Sequence, residues 1–97
     1  MMNAAIIAVA PNGARKLKQD HPAVPLSADE LGVCAAECAD AGAAMIHLHV
    51  REPASGRHSL DAGLYREAIK AVRREAGDGI IIQCTSEAAG TYNRHEQ

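Results

Sequence analysis

A chain of 97 residues with a formal net charge of −2 can form at most one small domain and has no strong electrostatic preference for a partner. Its basic and acidic residues are interspersed, and no apolar run approaches the roughly 20 residues of a membrane span, so we expect no nucleic-acid partner and no membrane partner. The amino end has no signal-peptide pattern, and the three cysteines have no CxxC spacing. These features predict a cytoplasmic protein without a disulfide framework.

The first predicted element is a strand over residues 4–10, an apolar run that Pro11-Asn12-Gly13 ends. Such a run is typical of a parallel strand that is buried on both faces. The segment that follows, residues 11–26, is long for a connection between a strand and a helix. Long ordered loops in compact domains usually carry function, so we expect this loop to contribute to a site.

A helix is predicted to begin after Ser27, because Ser27 and Glu30 have the spacing of a capping box. In that motif each side chain bonds the backbone amide of the other residue. Small and apolar residues then recur at helical spacing until Gly42, a residue suited to a left-handed helix end. Cys34 and Cys38 belong to this pattern and are interpreted as small core residues.

The next segment, residues 43–51, is a predicted strand that carries two histidines. Side chains alternate along a strand, so His47 and His49 share one face with Met45. Two imidazoles about 7 Å apart along a strand can bind one zinc ion, for which neutral imidazole is a common ligand. The spacing alone also fits two hydrogen-bonded histidines near a strand end.

A second loop and a second helix come next. Pro and Gly residues mark turns in the loop over residues 51–59. The helix that follows is capped by Asp61 or by Ser59, has apolar residues at helical spacing, and ends at Gly77.

The last predicted strand covers residues 79–86 and finishes in two hydroxyl side chains, Thr85 and Ser86. Residues 87–97 are predicted to form a loop that leads to another helix. His21, His58 and His95 have no partner spacing, so we interpret them as ordinary loop histidines.

The predicted order of elements is βαβαβ, and polar residues follow the carboxyl ends of the strands. In parallel α/β sheets these ends carry the chemistry. The order fits either a small open sheet or the first part of a barrel, and histidines that project from a strand into an interior favour the barrel. A complete TIM (β/α)8 barrel needs about 250 residues. We therefore interpret residues 1–97 as the amino-terminal fragment of one barrel domain, truncated before strand 4.

Three motifs of the chain, in their order, resemble the amino-terminal part of the β-keto acid cleavage enzymes. They are Val9-Ala10-Pro11-Asn12-Gly13-Ala14-Arg15, Gly42-Ala43-Ala44-Met45-Ile46-His47-Leu48-His49-Val50-Arg51 and Ile81-Ile82-Gln83-Cys84-Thr85-Ser86-Glu87. The resemblance covers essentially the whole chain but about a third of a family member. It implies a barrel fold and a zinc-dependent acyl exchange, in which a β-keto acid and acetyl-CoA become acetoacetate and a new CoA thioester.

The resemblance also implies roles for individual residues. The family's HxH pair, which provides two zinc ligands, maps onto His47 and His49. Its third ligand, a Glu, and its general base, an Asp oriented by an Arg, lie further along the family sequence and have no counterpart in this chain. The family's catalytic hydroxyl falls at Thr85, with Ser86 beside it. A zinc ion in such a site polarises the keto acid as a Lewis acid.

Three residues are predicted to bind substrate: Asn12 and Arg15 in the first loop, and Arg51 after the second strand. Arg15 stands where a family member with a cationic substrate has a Glu. A guanidinium repels an ammonium group and attracts a carboxylate, which predicts a neutral or anionic β-keto acid. Arg51 is suited to a carboxylate or to the phosphates of CoA. When full length, the protein is expected to be a homo-oligomer.

Two other classes of protein fit part of the pattern. Amidohydrolase-type metal-dependent hydrolases also carry an HxH motif on a barrel strand, but on the first strand, whereas here a complete strand-helix unit precedes it. A non-catalytic α/β domain with structural histidines is the other alternative. It predicts a chain that holds no zinc and in which His47→Ala affects local packing only.

Overall fold

The computed structural model of the chain describes residues 5–86 and contains three strands and two helices in the predicted order. The strands form one parallel sheet in the order β1-β2-β3. The fold is therefore a small α/β unit with a three-stranded parallel sheet, as the βαβαβ pattern predicts. The elements are β1 (Ala8–Val9), α1 (Ala28–Asp40), β2 (Met45–Leu48), α2 (Ala62–Ala76) and β3 (Ile81–Cys84).

The ends of α1 follow the local sequence signals. The Ser27 hydroxyl accepts a hydrogen bond from the Glu30 amide at 3.1 Å, and the Glu30 carboxylate accepts one from the Ser27 amide at 3.1 Å. These two bonds are the predicted capping box. The helix ends at Asp40, and Gly42 turns the chain towards β2 with a φ of 110°.

Helix α2 likewise begins and ends where the sequence predicts. The Asp61 side chain accepts from the Leu64 amide at 2.9 Å, which selects Asp61 rather than Ser59 as the cap. Gly77, with a φ of 80°, ends the helix. Within the described range, neither helix combines the length and the apolar character that crossing a bilayer requires.

The hydrophobic core lies between the two helices and one face of the sheet. Its side chains come from α1, from α2, from alternate residues in and just after β2, and from the residue before β3; they are Leu31, Ala35, Ile46, Leu48, Val50, Ala68, Val72 and Ile80. The helices approach each other most closely at Gly32, where an added Cβ would lie 2.7 Å from the Ala71 carbonyl oxygen. A glycine at this position allows the helices to pack at this distance.

The first strand differs from its prediction. β1 contains two residues rather than seven, and the apolar residues before it are exposed, Ile6 by 81% and Ile7 by 51%. The reason is its position at the edge of the sheet, where it pairs with β2 and has no second neighbour among residues 5–86. Ala4, the first residue of the predicted strand, lies outside the described residues, as does the loop and helix predicted for residues 87–97.

The face of the sheet opposite the helices carries the side chains of alternate residues. Ile81 pairs with Met45 and Gln83 pairs with His47, so these four residues share that face. Ile81 is 56% exposed. An apolar strand residue with this exposure indicates a sheet face that the described residues leave uncovered.

The loop after β1 is attached to the first turn of α1 by a charged pair. Lys18 contacts the Glu30 carboxylate and is the main cause of the low pKa of Glu30, about 2 against an ordinary 4.5; hydrogen bonding to the Ser27 amide lowers it further. The folded state therefore holds this carboxylate ionised at a pH at which the unfolded chain protonates it.

We expect the free energy of unfolding to fall as the pH falls from about 4.5 towards 2, because Glu30 takes up its proton more readily in the unfolded chain. Both side chains are about two-fifths exposed, so the loss is at most about 1 kcal/mol. Urea unfolding over this pH range measures it. Glu30→Gln removes this part of the pH dependence, and Glu67→Gln, a change at an exposed glutamate on α2, leaves it in place.

Candidate active site

The two histidines of the HxH motif lie side by side at the carboxyl end of β2. Their ring centroids are 4.8 Å apart and the ring planes are tilted by 59°. His47 is in the strand, and His49 follows its last residue. The predicted placement of both rings on one face of the sheet, away from the helical layer, agrees with this geometry.

Gln83 on β3 orients the ring of His47. Its side-chain oxygen Oε1 lies 2.9 Å from His47 Nδ1, across the register pair that joins the two residues. A Gln oxygen only accepts, so His47 Nδ1 is the donor when the ring is in the tautomer that forms this bond, and Nε2 of the neutral ring is then the nitrogen that can bind a ligand. Histidines that ligate metals are commonly held in this way by an acceptor on the other ring nitrogen. The sequence interpretation gave Gln83 no role of its own, although period-two alternation on β3 places it on the histidine face.

His58 also lies near the pair, contrary to its interpretation as an ordinary loop histidine. It is buried, and its ring centroid is 5.8 Å from that of His49. An isolated antiparallel bridge between Arg51 and His58 folds the second loop back on itself, and Gly56 makes the turn with a φ of 75°. The Pro and Gly turn signals of this loop predicted the turn but not which residues would pair across it.

The donor set suits a borderline metal but is incomplete. Two imidazoles on one sheet face are the ligands that zinc prefers. Over residues 5–86, no group of three or more His, Cys, Asp or Glu side chains is arranged to hold a metal ion. The described residues thus offer two ligands for such an ion, His47 and His49, and Gln83 contacts the ring of His47.

The predicted hydroxyls follow β3 at the same edge of the sheet. Leu48 pairs with Cys84, so His49 and Thr85 each come directly after a paired residue. Thr85 is partly buried, and its backbone carbonyl accepts a hydrogen bond from the Tyr65 hydroxyl at 3.2 Å. Ser86 is exposed. The parallel sheet therefore places these hydroxyls and the histidines at one edge.

Asn12 and Arg51, which we predicted to bind substrate, direct their donors at the backbone in this structure. Asn12 Nδ2 donates to the carbonyls of His49 at 2.7 Å and Pro25 at 3.0 Å. The Arg51 guanidinium donates to the carbonyls of Asn12, Gly13 and Gly56 at 3.2, 2.8 and 2.7 Å. Burial lowers the pKa of Arg51. Arg15, the third predicted substrate residue, is exposed on the first loop.

A cavity of about 530 Å³ lies between the two loops and the amino-terminal turns of the helices. Its lining is mainly apolar and includes Leu17, Leu26, Leu31, Val50 and Leu64, with Arg51. Neither the two histidines nor Thr85 and Ser86 line it. The cavity is therefore separate from the histidine face of the sheet.

Comparison with known proteins gives one family. The family model described as beta-keto acid cleavage enzyme matches residues 4–97. A 3-keto-5-aminohexanoate cleavage enzyme of Fusobacterium nucleatum is 40% identical over 90 residues, which are 93% of this chain and 33% of that protein. A 3,5-dioxohexanoate:acetyl-CoA acetone transferase of Paraburkholderia graminis is 34% identical over 76 residues, 78% of this chain and 24% of that protein.

A third relative carries a different substrate in its name. It is a 3-oxoadipate:acetyl-CoA acetyltransferase of Cupriavidus necator, 33% identical over 86 residues, which are 89% of this chain and 30% of that protein. The chain thus spans a third or less of the length of these relatives.

Proposed function

Because the chain belongs to the β-keto acid cleavage enzyme family, we propose that it contributes the histidine face of an acyl-exchange enzyme. The proposed reaction converts a β-keto acid and acetyl-CoA into acetoacetate and a new CoA thioester. Relatives named as acetyl-CoA transferases support acetyl-CoA as the co-substrate. No charge pattern in the chain favours a macromolecular substrate.

The observation that carries the proposal is the pair of imidazoles on one face at the carboxyl end of β2, 4.8 Å apart. Active sites of parallel α/β folds lie at this end of the strands. A zinc ion bound by His47 and His49 would supply Lewis-acid polarisation of the keto acid carbonyl. The contact of Gln83 Oε1 with His47 Nδ1 favours the tautomer with its hydrogen on Nδ1, in which Nε2 is available to a ligand.

The remaining groups of the site are proposed to come from two places. Thr85, with Ser86 beside it, supplies a hydroxyl at the edge where the histidines lie, and it donates to the substrate or to the base. The third metal ligand and the general base are proposed to lie outside these 97 residues. For that reason we expect the chain alone to be inactive.

We further propose that the sheet is the first part of a TIM (β/α)8 barrel, with residues 1–97 as its amino-terminal fragment. Three observations support this. The strands are parallel and in sequential order, the polar groups follow their carboxyl ends, and residues 5–86 leave the histidine face of the sheet uncovered, with Ile81 56% exposed. A cytoplasmic location and a homo-oligomeric state remain predictions.

The test uses the longest polypeptide that the gene encodes. Acetoacetate formation from acetyl-CoA is measured with a panel of β-keto acids, before and after exhaustive chelation. We expect turnover that depends on acetyl-CoA, is lost on chelation and is restored by Zn²⁺. Turnover that survives chelation undiminished contradicts the metal role, and the absence of any acetyl-CoA-dependent turnover contradicts the proposed reaction.

Arg15→Glu is expected to change which β-keto acids that polypeptide prefers. Arg15 is exposed on the loop after β1, and a guanidinium there favours an anionic substrate. The change to Glu should lower kcat/KM for anionic β-keto acids on the order of tenfold and raise it for cationic ones, because a like charge now faces the anion.

Arg57→Glu is the matched control for this prediction. It makes the same change of charge at an exposed position of the second loop, and we expect it to leave the substrate ranking unaltered. If Arg15→Glu leaves the ranking of anionic and cationic substrates as it was, Arg15 has no part in substrate selection.

A further inference from the structure

His49 is the first residue after β2. β2 ends at Leu48, and the register with β3 ends at the pair Leu48 and Cys84. The register pairs include His47 and end one residue before His49. The backbone position of His49 sets where its ring lies, and the ring centroid is 4.8 Å from that of His47.

Asn12, in the loop after β1, forms a hydrogen bond with the backbone of His49. Its Nδ2 donates to the His49 carbonyl at 2.7 Å and to the Pro25 carbonyl at 3.0 Å. Both partners are carbonyl oxygens, so only the amide nitrogen can face them. The residue is 5% exposed, and a buried bond of this kind is costly to break. Asn12 thus joins the end of the second strand to the loop after the first.

Arg51 in turn holds Asn12. Its Nη2 donates to the backbone carbonyls of Asn12 and Gly13, and its Nη1 donates to that of Gly56. The guanidinium is planar with donors in a fixed fork, so three carbonyls determine its orientation. Arg51 is 3% exposed, and within residues 5–86 it forms no salt bridge with a carboxylate. Among the residues that the structure describes, its Nη1 and Nη2 atoms bond only to carbonyls of the loops that it connects, and its buried Nε has no hydrogen-bond partner.

We propose that Asn12 and Arg51 are positioning residues that hold the His49 imidazole beside that of His47. Arg51 binds both loops, and Asn12 carries that constraint to the His49 backbone and so to its ring. The part of this proposal that concerns zinc rests on the proposed function, whereas the placement of the ring does not.

Two variants of the 97-residue chain test the proposal. Asn12→Asp keeps the size of the side chain but places a carboxylate against two carbonyl oxygens. Arg51→Lys keeps the charge but loses the fork. Arg73→Lys is the matched control, since Arg73 also donates from a guanidinium to backbone carbonyls, those of Gly77 and Ile80, at the opposite end of the sheet.

The first measurement is the nuclear Overhauser effect between the ring protons of His47 and His49. We expect it in the wild-type chain and in Arg73→Lys, and we expect its loss in Asn12→Asp and in Arg51→Lys. The second is calorimetric affinity for Zn²⁺, which should fall about tenfold to a hundredfold in these two variants and stay unchanged in Arg73→Lys.

Retention of both the ring contact and the zinc affinity in either variant overturns the proposal. If neither the wild-type chain nor the longest polypeptide that the gene encodes binds zinc, the metal site fails, and the ring contact alone then decides the positioning role. Exchange of the Asn12 side-chain amide protons in the wild-type chain provides a test that needs no variant. They should exchange at least about tenfold more slowly than those of exposed Gln19, and equal rates overturn the proposal.

Discussion

His47→Ala and His49→Ala are each expected to lower the affinity of the chain for Zn²⁺ by at least about a hundredfold, because each removes one of the two ligands. Loss of a residue that only hydrogen-bonds to a metal ligand already lowers metal affinity by up to about a hundredfold. The same changes should abolish turnover by the longest polypeptide that the gene encodes. Neither imidazole is part of the hydrophobic core, so we expect the melting temperature without metal to change little.

His21→Ala is the control for this prediction. It removes an exposed imidazole from the first loop and should leave zinc affinity and turnover unchanged. Binding is measured by calorimetry and the fold by circular dichroism. If His47→Ala and His49→Ala bind zinc as the wild-type chain does, the two histidines are structural, as in the alternative of a non-catalytic domain.

Ile46→Ala is expected to lower the free energy of unfolding by about 2–5 kcal/mol, whereas Ile81→Ala should change it by about 0.5 kcal/mol. Both residues are isoleucines in strands of one sheet. Ile46 faces the helices and is fully buried, and Ile81 lies on the opposite face with 56% of its surface exposed. Urea unfolding of the 97-residue chain measures both changes.

The same pair of variants also tests the barrel. In a (β/α)8 barrel the histidine face of the sheet becomes the packed interior. Ile81→Ala should then cost about 2 kcal/mol or more in the longest polypeptide that the gene encodes, because the side chain is buried there. If Ile81→Ala changes the free energy of unfolding of that polypeptide by close to zero, the barrel is contradicted. If Ile46→Ala and Ile81→Ala lower the free energy of unfolding of the 97-residue chain equally, the core as described is contradicted.

The helices are the part of the fold that local sequence predicts best. A capping box is a contact between residues three apart, and Ser27 and Glu30 form it as expected. Asp61 and Gly77 bound α2 for reasons equally close in the chain. The parallel order of the strands also followed from the sequence, because helices between apolar runs require crossover connections.

The first strand shows where this reasoning stops. An apolar run predicts burial on both faces only if other elements lie on both sides of it. β1 is an edge strand in the described structure, and Ile6 and Ile7 are exposed. Burial depends on neighbours that are distant in the chain, and the pattern of one run does not contain them.

By itself, the sequence determined that two imidazoles would share one sheet face, because the alternation of side chains along a strand is a property of the backbone. Only the tertiary structure decided which groups surround them. Strand register brought Gln83 to His47, the turn of the second loop brought His58 to His49, and packing directed Arg51 at three carbonyls. These contacts join residues that are far apart in sequence or across a turn, and their positions follow from the packing of the whole unit.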